Sequence, residues 1–589
     1  MASPTDPLTG EAAGSSHEPR LYEVERGVKS DSYITAVTNN PIPPYGPGAT
    51  YAKNPPRATL DESGDIEPVV RLRNKNPDQA GLSEEELEEY REDPFWSRLS
   101  WWQSAIAYNV WVPSFADSDG DGSGDIDGLI ERLDQLKKAG VQTLWPRPFL
   151  LSDDFSDAIR DYNAIDSKLG VNTDAAKLIN EAHNRDMKMI IDVPIATTSL
   201  EHDWFLRSQA ASKPDNKDYA EFYTWSKKDG LDSSFFSKLK DTSYFHKMDE
   251  PKAAVLNWKD AHVKMAIFDW PAITSFVSDV RTHVETYANE SAVEGEEPRK
   301  IIIFASMLES KEKDKRALVS DQHLHSLINY ELGKVEKNTK ICHKNEGNVG
   351  LCTYEILADL MLFHNLHDDV IPAWEFGNPF LSRLASRVGS RKHAELLLMV
   401  QLMLPGGNAI YYGDEIGMRN LPNDTTVPVQ QGAMLWDDSD GAGFSAKPGV
   451  PVASDYKNIN WKRQYGEEQS ILKTFSKLAK LRNRDETLIV GKTLMGRLVD
   501  GSAFSMARFR QTEGSSKPTG TIYVIGVNFS PKSTTLPLDM MPNQELLRKV
   551  TVVALSSKTQ SRHLRENLDL SSKTLDLGPD EGIVFKYPA

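Results

Sequence analysis

From Trp101 onward the hydrophobic pattern alternates between short apolar runs and amphipathic stretches. Ala105–Val112 (AIAYNVWV) is a continuous apolar run of strand length, and Leu129–Ala139 follows with helical spacing. Val141–Trp145 is a second strand; Lys177–Asp186 is a helix that leads into a third strand, Met187–Val193. Ile301–Ser306, Val370–Phe376 and Asn408–Gly413 continue the plan, with a buried helix at Ala394–Leu404. Apolar strands separated by helices require a parallel sheet with both faces covered, so residues 101–490 are expected to form an α/β barrel or open sheet. After about residue 490 the period changes. Gly501–Arg510, Gly520–Ser530, Lys549–Leu555 and Gly582–Ala589 are short strands between Gly, Pro and Asp turns, which predicts a C-terminal antiparallel β-sandwich over 491–589.

The first 80 residues show no sustained period and are rich in Pro, Gly, Ser and charge; they are expected to be a disordered tail. Residues 81–100 begin with a capping box, Ser83 and Glu86, ahead of Leu87 and Tyr90, and predict a short acidic helix. No stretch reaches the roughly 20 apolar residues of a membrane helix; the chain as written is expected to be soluble.

Composition changes this picture in two ways. An apolar fraction of 39% supports a real core, and a net charge of −17 argues against a nucleic-acid partner, whose phosphates need a basic face. The two cysteines, Cys342 and Cys352, have no metal-site spacing; they are either unrelated thiols or a local disulfide.

Three further patterns carry candidate chemistry. Asp117–Asp125 (DSDGDGSGD) puts oxygens at alternate positions among glycines, which suits either a solvated turn or a hard cation such as Ca2+ held by Asp117, Asp119, Asp121, Asp125 and the carbonyl of Ser123. Asn289, Asn423 and Asn528 begin N-x-Ser/Thr triplets, candidate glycosylation sites, the last weakened by Pro531. Trp145, Trp374 and Tyr411 have apolar neighbours on both sides and are expected in the core rather than on a sugar platform.

Tyr108–Leu129, the strands ending in Leu144-Trp145 and Ile191-Asp192, and Leu402–Met418 (LMLPGGNAIYYGDEIGM) resemble, in order, the oligosaccharidase branch of the α-amylase family. The resemblance implies an α-amylase-like (β/α)8 TIM barrel with an Asp nucleophile, a Glu acid/base and a stabilising Asp at the C-terminal ends of its strands. At the third strand Asp192 matches, but the sugar-binding Asn-His pair falls on Ala196 and Thr197. No Gly-Phe-Arg-x-Asp segment for the fourth strand occurs between Val255 and Arg281; Asp269 and Asp279 are the nearest carboxylates. The acid/base position is Ser306, with Glu309 three residues too late, and Asn378-Pro379-Phe380 puts Phe380 at the third carboxylate. Asp157 and Ala158 replace a substrate-stacking Tyr and its Asp. No catalytic residue is therefore expected, and the segment Asp203–Asn257 looks like a shortened inserted subdomain.

A barrel without its carboxylates, preceded by LSEEELEEYREDPFW (Leu82–Trp96), is similar to the heavy subunits of solute-carrier family 3. That resemblance implies a non-catalytic ancillary subunit with a light-chain amino-acid transporter as partner, an extracellular barrel at the plasma membrane and no small-molecule substrate. The chain departs from it where it passes from Arg98 to Trp101 without a membrane helix or linking Cys. The alternatives are an α-glucosidase-type hydrolase and a soluble carbohydrate-binding or scaffold protein.

Overall fold

The computed structural model describes residues 34–38, 99–194, 196–257, 270–290, 302–306, 319, 324–336, 348–366, 371–511 and 517–589. Eight strands close a barrel: β1 (Ile34–Thr38), β2 (Ile106–Trp111), β3 (Thr143–Arg147), β4 (Lys188–Val193), β5 (Ile302–Ser306), β6 (Ser326–Asn329), β7 (Ala373–Glu375) and β8 (Gly407–Tyr411). Around the barrel the order is β1-β5-β6-β7-β8-β2-β3-β4. Seven strands are mutually parallel neighbours, whereas β1 runs antiparallel to both β4 and β5.

This corrects the reading of residues 1–80 as wholly disordered: five of them are a barrel strand. Three of the five, Ile34, Thr35 and Val37, are β-branched and suit a pleated strand. The fourth barrel position, which the resemblance placed between Val255 and Arg281, is held by β1; of that interval, residues 258–269 lie outside the described residues and 270–290 are helix. The acidic segment 81–98 also lies outside the described residues.

Alternation along the strands sorts two cores. Ile106, Tyr108 and Val110 of β2 pack outward with Leu129, Leu133 and Leu136 of α1 (Ile126–Ala139) and Leu178 of α2 (Asn172–His183). Ala107, Trp145, Ile190, Ile302, Phe304 and Ile328 fill the lower barrel, and the rings of Trp101 and Trp102 pack against them. α1 starts where Asp125 accepts a hydrogen bond from Gly128 N and stops at Gly140, whose left-handed backbone (φ 105°) caps it. α3 (Trp270–Glu290) and α4 (Val349–Leu366) follow, and α5 (Arg391–Met403) is buried from Ala394 to Met403, matching the expected core helix. The shortened insertion is a small sheet of mostly antiparallel pairs whose core holds Phe205, Tyr223 and Tyr244.

The C-terminal region is an antiparallel six-stranded sheet centred on Ala503–Gln511, Pro518–Asn528 and Glu581–Pro588, with a two-stranded ribbon, Thr534–Pro537 and Thr574–Leu577. Helix α6 (Ile471–Arg482) packs against both α5 and this sheet, which α5 also touches directly.

Candidate functional site at the barrel mouth

Above the apolar layer, several inward positions at or near the strand ends are polar. Asn109 ends two residues above Ala107, Arg147 two above Trp145, Asp192 two above Ile190, and Tyr330 two above Ile328. They meet. Arg147 forms a salt bridge with Asp192 while its guanidinium lies 4.1 Å over the Trp145 ring. Trp145 Nε1 donates to Asp192 Oδ1 at 2.8 Å. Asn109 Nδ2 donates to Glu375 Oε1 at 3.0 Å. Glu375 is fully buried. Burial raises its carboxyl to about 7, against the opposing pull of Arg147 and hydrogen bonds from Tyr330 and Asn109, with Asp192 adding to the rise. The surviving family carboxylate, Asp192, is thus committed to an arginine that is 3% exposed.

The other predicted positions do not converge with it. Ala196 is exposed, and Thr197 is buried in the small sheet, its hydroxyl donating to Asp157 O at 2.8 Å. Asp157 itself pairs with Lys247 at 2.6 Å, and Ala158 is fully buried. Ser306 is the last residue of β5. Phe380 is 42% exposed, edge-on to Trp111 with 6.5 Å between ring centroids. Asn378 Oδ1 accepts from the amides of Phe380 and Leu381, an Asx turn that holds the segment 378–381 after β7. Asp279 lies on α3, and Asp269 and Glu309 lie outside the described residues.

Beyond β8 two more carboxyls are buried. Glu415, raised to about 8 by burial, accepts from the Tyr108 hydroxyl at 2.9 Å; Asp414, raised to about 6 by burial, lies 3.9 Å from Arg383. Sequence reading named none of Arg147, Glu375 or Glu415. The available signal for Arg147 was its parity: two residues after Trp145 on an inward-facing register.

In the acidic loop, carboxylate oxygens of Asp117, Asp119 and Asp125 lie within 4.8 Å of one another. Asp121 is not part of that cluster, and its Oδ1 accepts from Ser123 N at 2.7 Å. At Asp117, burial alone would raise the carboxyl, but hydrogen bonds from Ser445, Gly120 N and Gly122 N outweigh it and hold it below the usual range. Asn528 is fully buried and donates both amide hydrogens, to Lys532 O and Gly578 O, at 2.7 Å each, so it presents nothing to a glycosyltransferase. Asn289 and Asn423 are exposed. Cys352, buried on α4, is disulfide-bonded; Cys342, the other cysteine of the chain, lies outside the described residues. Trp145, Trp374 and Tyr411 are all buried, as expected, although Trp145 carries Arg147 and not only apolar neighbours. Among the described residues no helix is long and apolar enough to cross a membrane.

Comparison with known proteins places this barrel. The rat amino acid transporter heavy chain SLC3A1 is 24% identical over 559 residues, covering 83% of this chain and 79% of its own. Oligo-1,6-glucosidase of Bacillus cereus is 26% identical over 487 residues, covering 66% and 85%. Among solved structures, trehalose-6-phosphate hydrolase of Bacillus licheniformis superposes with a TM-score of 0.64 at 22% identity, covering 83% of this chain and all of that one. A MutB variant from crystals soaked with trehalulose gives 0.67 at 20%. The alpha amylase catalytic domain matches residues 109–278 and 241–491, and the chain belongs to the alpha-amylase family.

Proposed function

We propose that this chain is a catalytically silent member of the family that serves as an ancillary, heavy-type subunit for a multispanning amino-acid transporter. The observation that carries the reading is the Arg147–Asp192 pair inside the barrel mouth. Glycoside hydrolysis needs two carboxyls with an open sugar site between them. Here the acid/base position matches Ser306 and the third carboxylate position Phe380, while Asp192, matched at the third strand, is paired with a buried guanidinium. The transporter heavy chains align over more of this chain than the glucosidases do, 83% against 66%, which supports the partner class. The experiment is co-expression with candidate light-chain transporters: stoichiometric co-purification and raised transporter yield are expected. Failure with every light chain tried, alongside glucosidase turnover, would favour the hydrolase reading that the bacterial relatives support.

Under the same reading the acidic loop is structural. Asp117, Asp119 and Asp125 suit a hard divalent cation, which binds carboxylate oxygens at about 2.3–2.6 Å when it is Ca2+. Adding Ca2+ to chelated protein should raise Tm, and Asp119→Ala should abolish the rise while sparing the Asp125 cap of α1.

A further inference from the structure

The fourth barrel position has an unusual occupant. Between β4 and β5 the chain supplies, among the described residues, a small sheet of mostly antiparallel pairs and α3, but no parallel barrel strand. Ile34–Thr38 fills the gap from the other end of the sequence. Ile34 stands opposite Val193 and Ala305, Thr35 opposite Asp192 and Phe304, Ala36 opposite Ile191 and Ile303, and Val37 opposite Ile190 and Ile302. A barrel of this family is closed by eight parallel strands. An antiparallel one is tolerated because the edges of β4 and β5 offer N–H and C=O groups that pair in either sense. Left unpaired at this depth they would be costly, since Ile190, Ile302 and Phe304 around them are buried.

We propose that the cleft between β4 and β5 is a peptide-binding groove, and that its ligand is this chain's own segment Ile34–Thr38, bound by strand addition. The ligand class is an extended peptide of β-branched and small residues. Polarity supports an intrachain origin. Thr38 leaves opposite Met189, at the lower end of the barrel, where Trp101 and Trp102 lead into β2, so both ends of the connection 39–98 lie at the same end of the barrel. Two consequences follow. The segment around residue 34 and the barrel occupy one compartment while β1 is seated. And withdrawal of β1 opens the barrel wall beside Asp192, whose backbone pairs with Thr35. This inference does not depend on the transporter reading.

Hydrogen exchange on the full chain tests it. Amides of 35–37, 189–192 and 302–305 should exchange at least tenfold more slowly than in Val37→Pro, because proline cannot donate to the ladder, while β7 and β8 stay unchanged. A synthetic peptide spanning residues 30–42 should restore protection in a chain lacking residues 1–42. As an arm that survives misfolding of either variant, Ala36→Cys with Ile303→Cys in the otherwise intact chain should form an intramolecular cross-link, seen by peptide mapping. Unchanged exchange in Val37→Pro, or no cross-link between positions 36 and 303, overturns the proposal. A cross-link found only between two copies also overturns it, assigning the strand to a second chain.

Discussion

Two of the regions that bury guanidinium groups in this molecule do it by different means. At the barrel mouth Arg147 is matched by carboxylates, Asp192 in contact and Glu375 nearby. At the seam between barrel and C-terminal sheet, Arg482 and Arg508 are fully buried among main-chain oxygens. Arg482 donates to the carbonyls of Leu402, Leu404, Leu488 and Gly406, and Arg508 to those of Met403, Leu488 and Gly491. Several of those carbonyls end α5, where the helix dipole is negative and the last C=O groups lack helical partners. The seam therefore solves a problem of helix termination. The mouth solves a problem of charge at strand ends, the place where a family enzyme receives its sugar.

If the seam is architectural, its loss should be the larger. Arg482→Met strands three carbonyls at once, Leu488 O keeping Arg508, and should cost about 3–5 kcal/mol, read as a drop in the urea midpoint. Burial lowers the Arg482 guanidinium to about 9 and holds that of Arg508 well below its ordinary value, with the charge of Arg482 adding to the latter, the cost of keeping a cation away from water. Arg147→Met should cost less, about 2–3 kcal/mol, because the Asp192 side chain is still 13% exposed and Glu375 can take up a proton. The double variant Arg147→Met/Asp192→Asn should recover part of that loss; no recovery would mean that the two side chains do not act as a pair.

The carboxyls at the mouth give the chain a pH signature. Glu375, Glu415 and Asp414 are held at about 7, 8 and 6, above their unfolded values. The folded state therefore binds more protons than the unfolded one between roughly pH 4 and 8, and stability falls as pH rises through that window. Glu375→Gln should flatten the decline between about 4.5 and 7, measured as Tm against pH. A profile unchanged by Glu375→Gln would show that this carboxyl is solvated. The smallest effect belongs to the cap of α1: Asp125→Ala should cost about 1 kcal/mol in chelator.

Much of this architecture is legible in the pattern of apolar positions. The runs at 105–112, 187–193 and 301–306 became Ile106–Trp111, Lys188–Val193 and Ile302–Ser306, because buried parallel strands read as continuous apolar segments. β6, with only Ser326–Asn329, is too short to stand out, and β1 was hidden because its partners are more than 150 residues away. The site was half legible. Motif order located Asp192, but its neutralisation by Arg147 needs the register that sets β3 beside β4. Asp125 carried two roles at once; helix capping is visible in its contacts, whereas the alternating oxygens of the sequence pointed to a cation.

The central claim is that the mouth performs no glycoside chemistry. The direct measurement is glucose release from isomaltose and from an activated aryl α-glucoside by the purified full chain, beside an Asp192→Asn variant. The account predicts release no faster than in buffer for both proteins. Turnover in the intact chain that disappears in Asp192→Asn would contradict it.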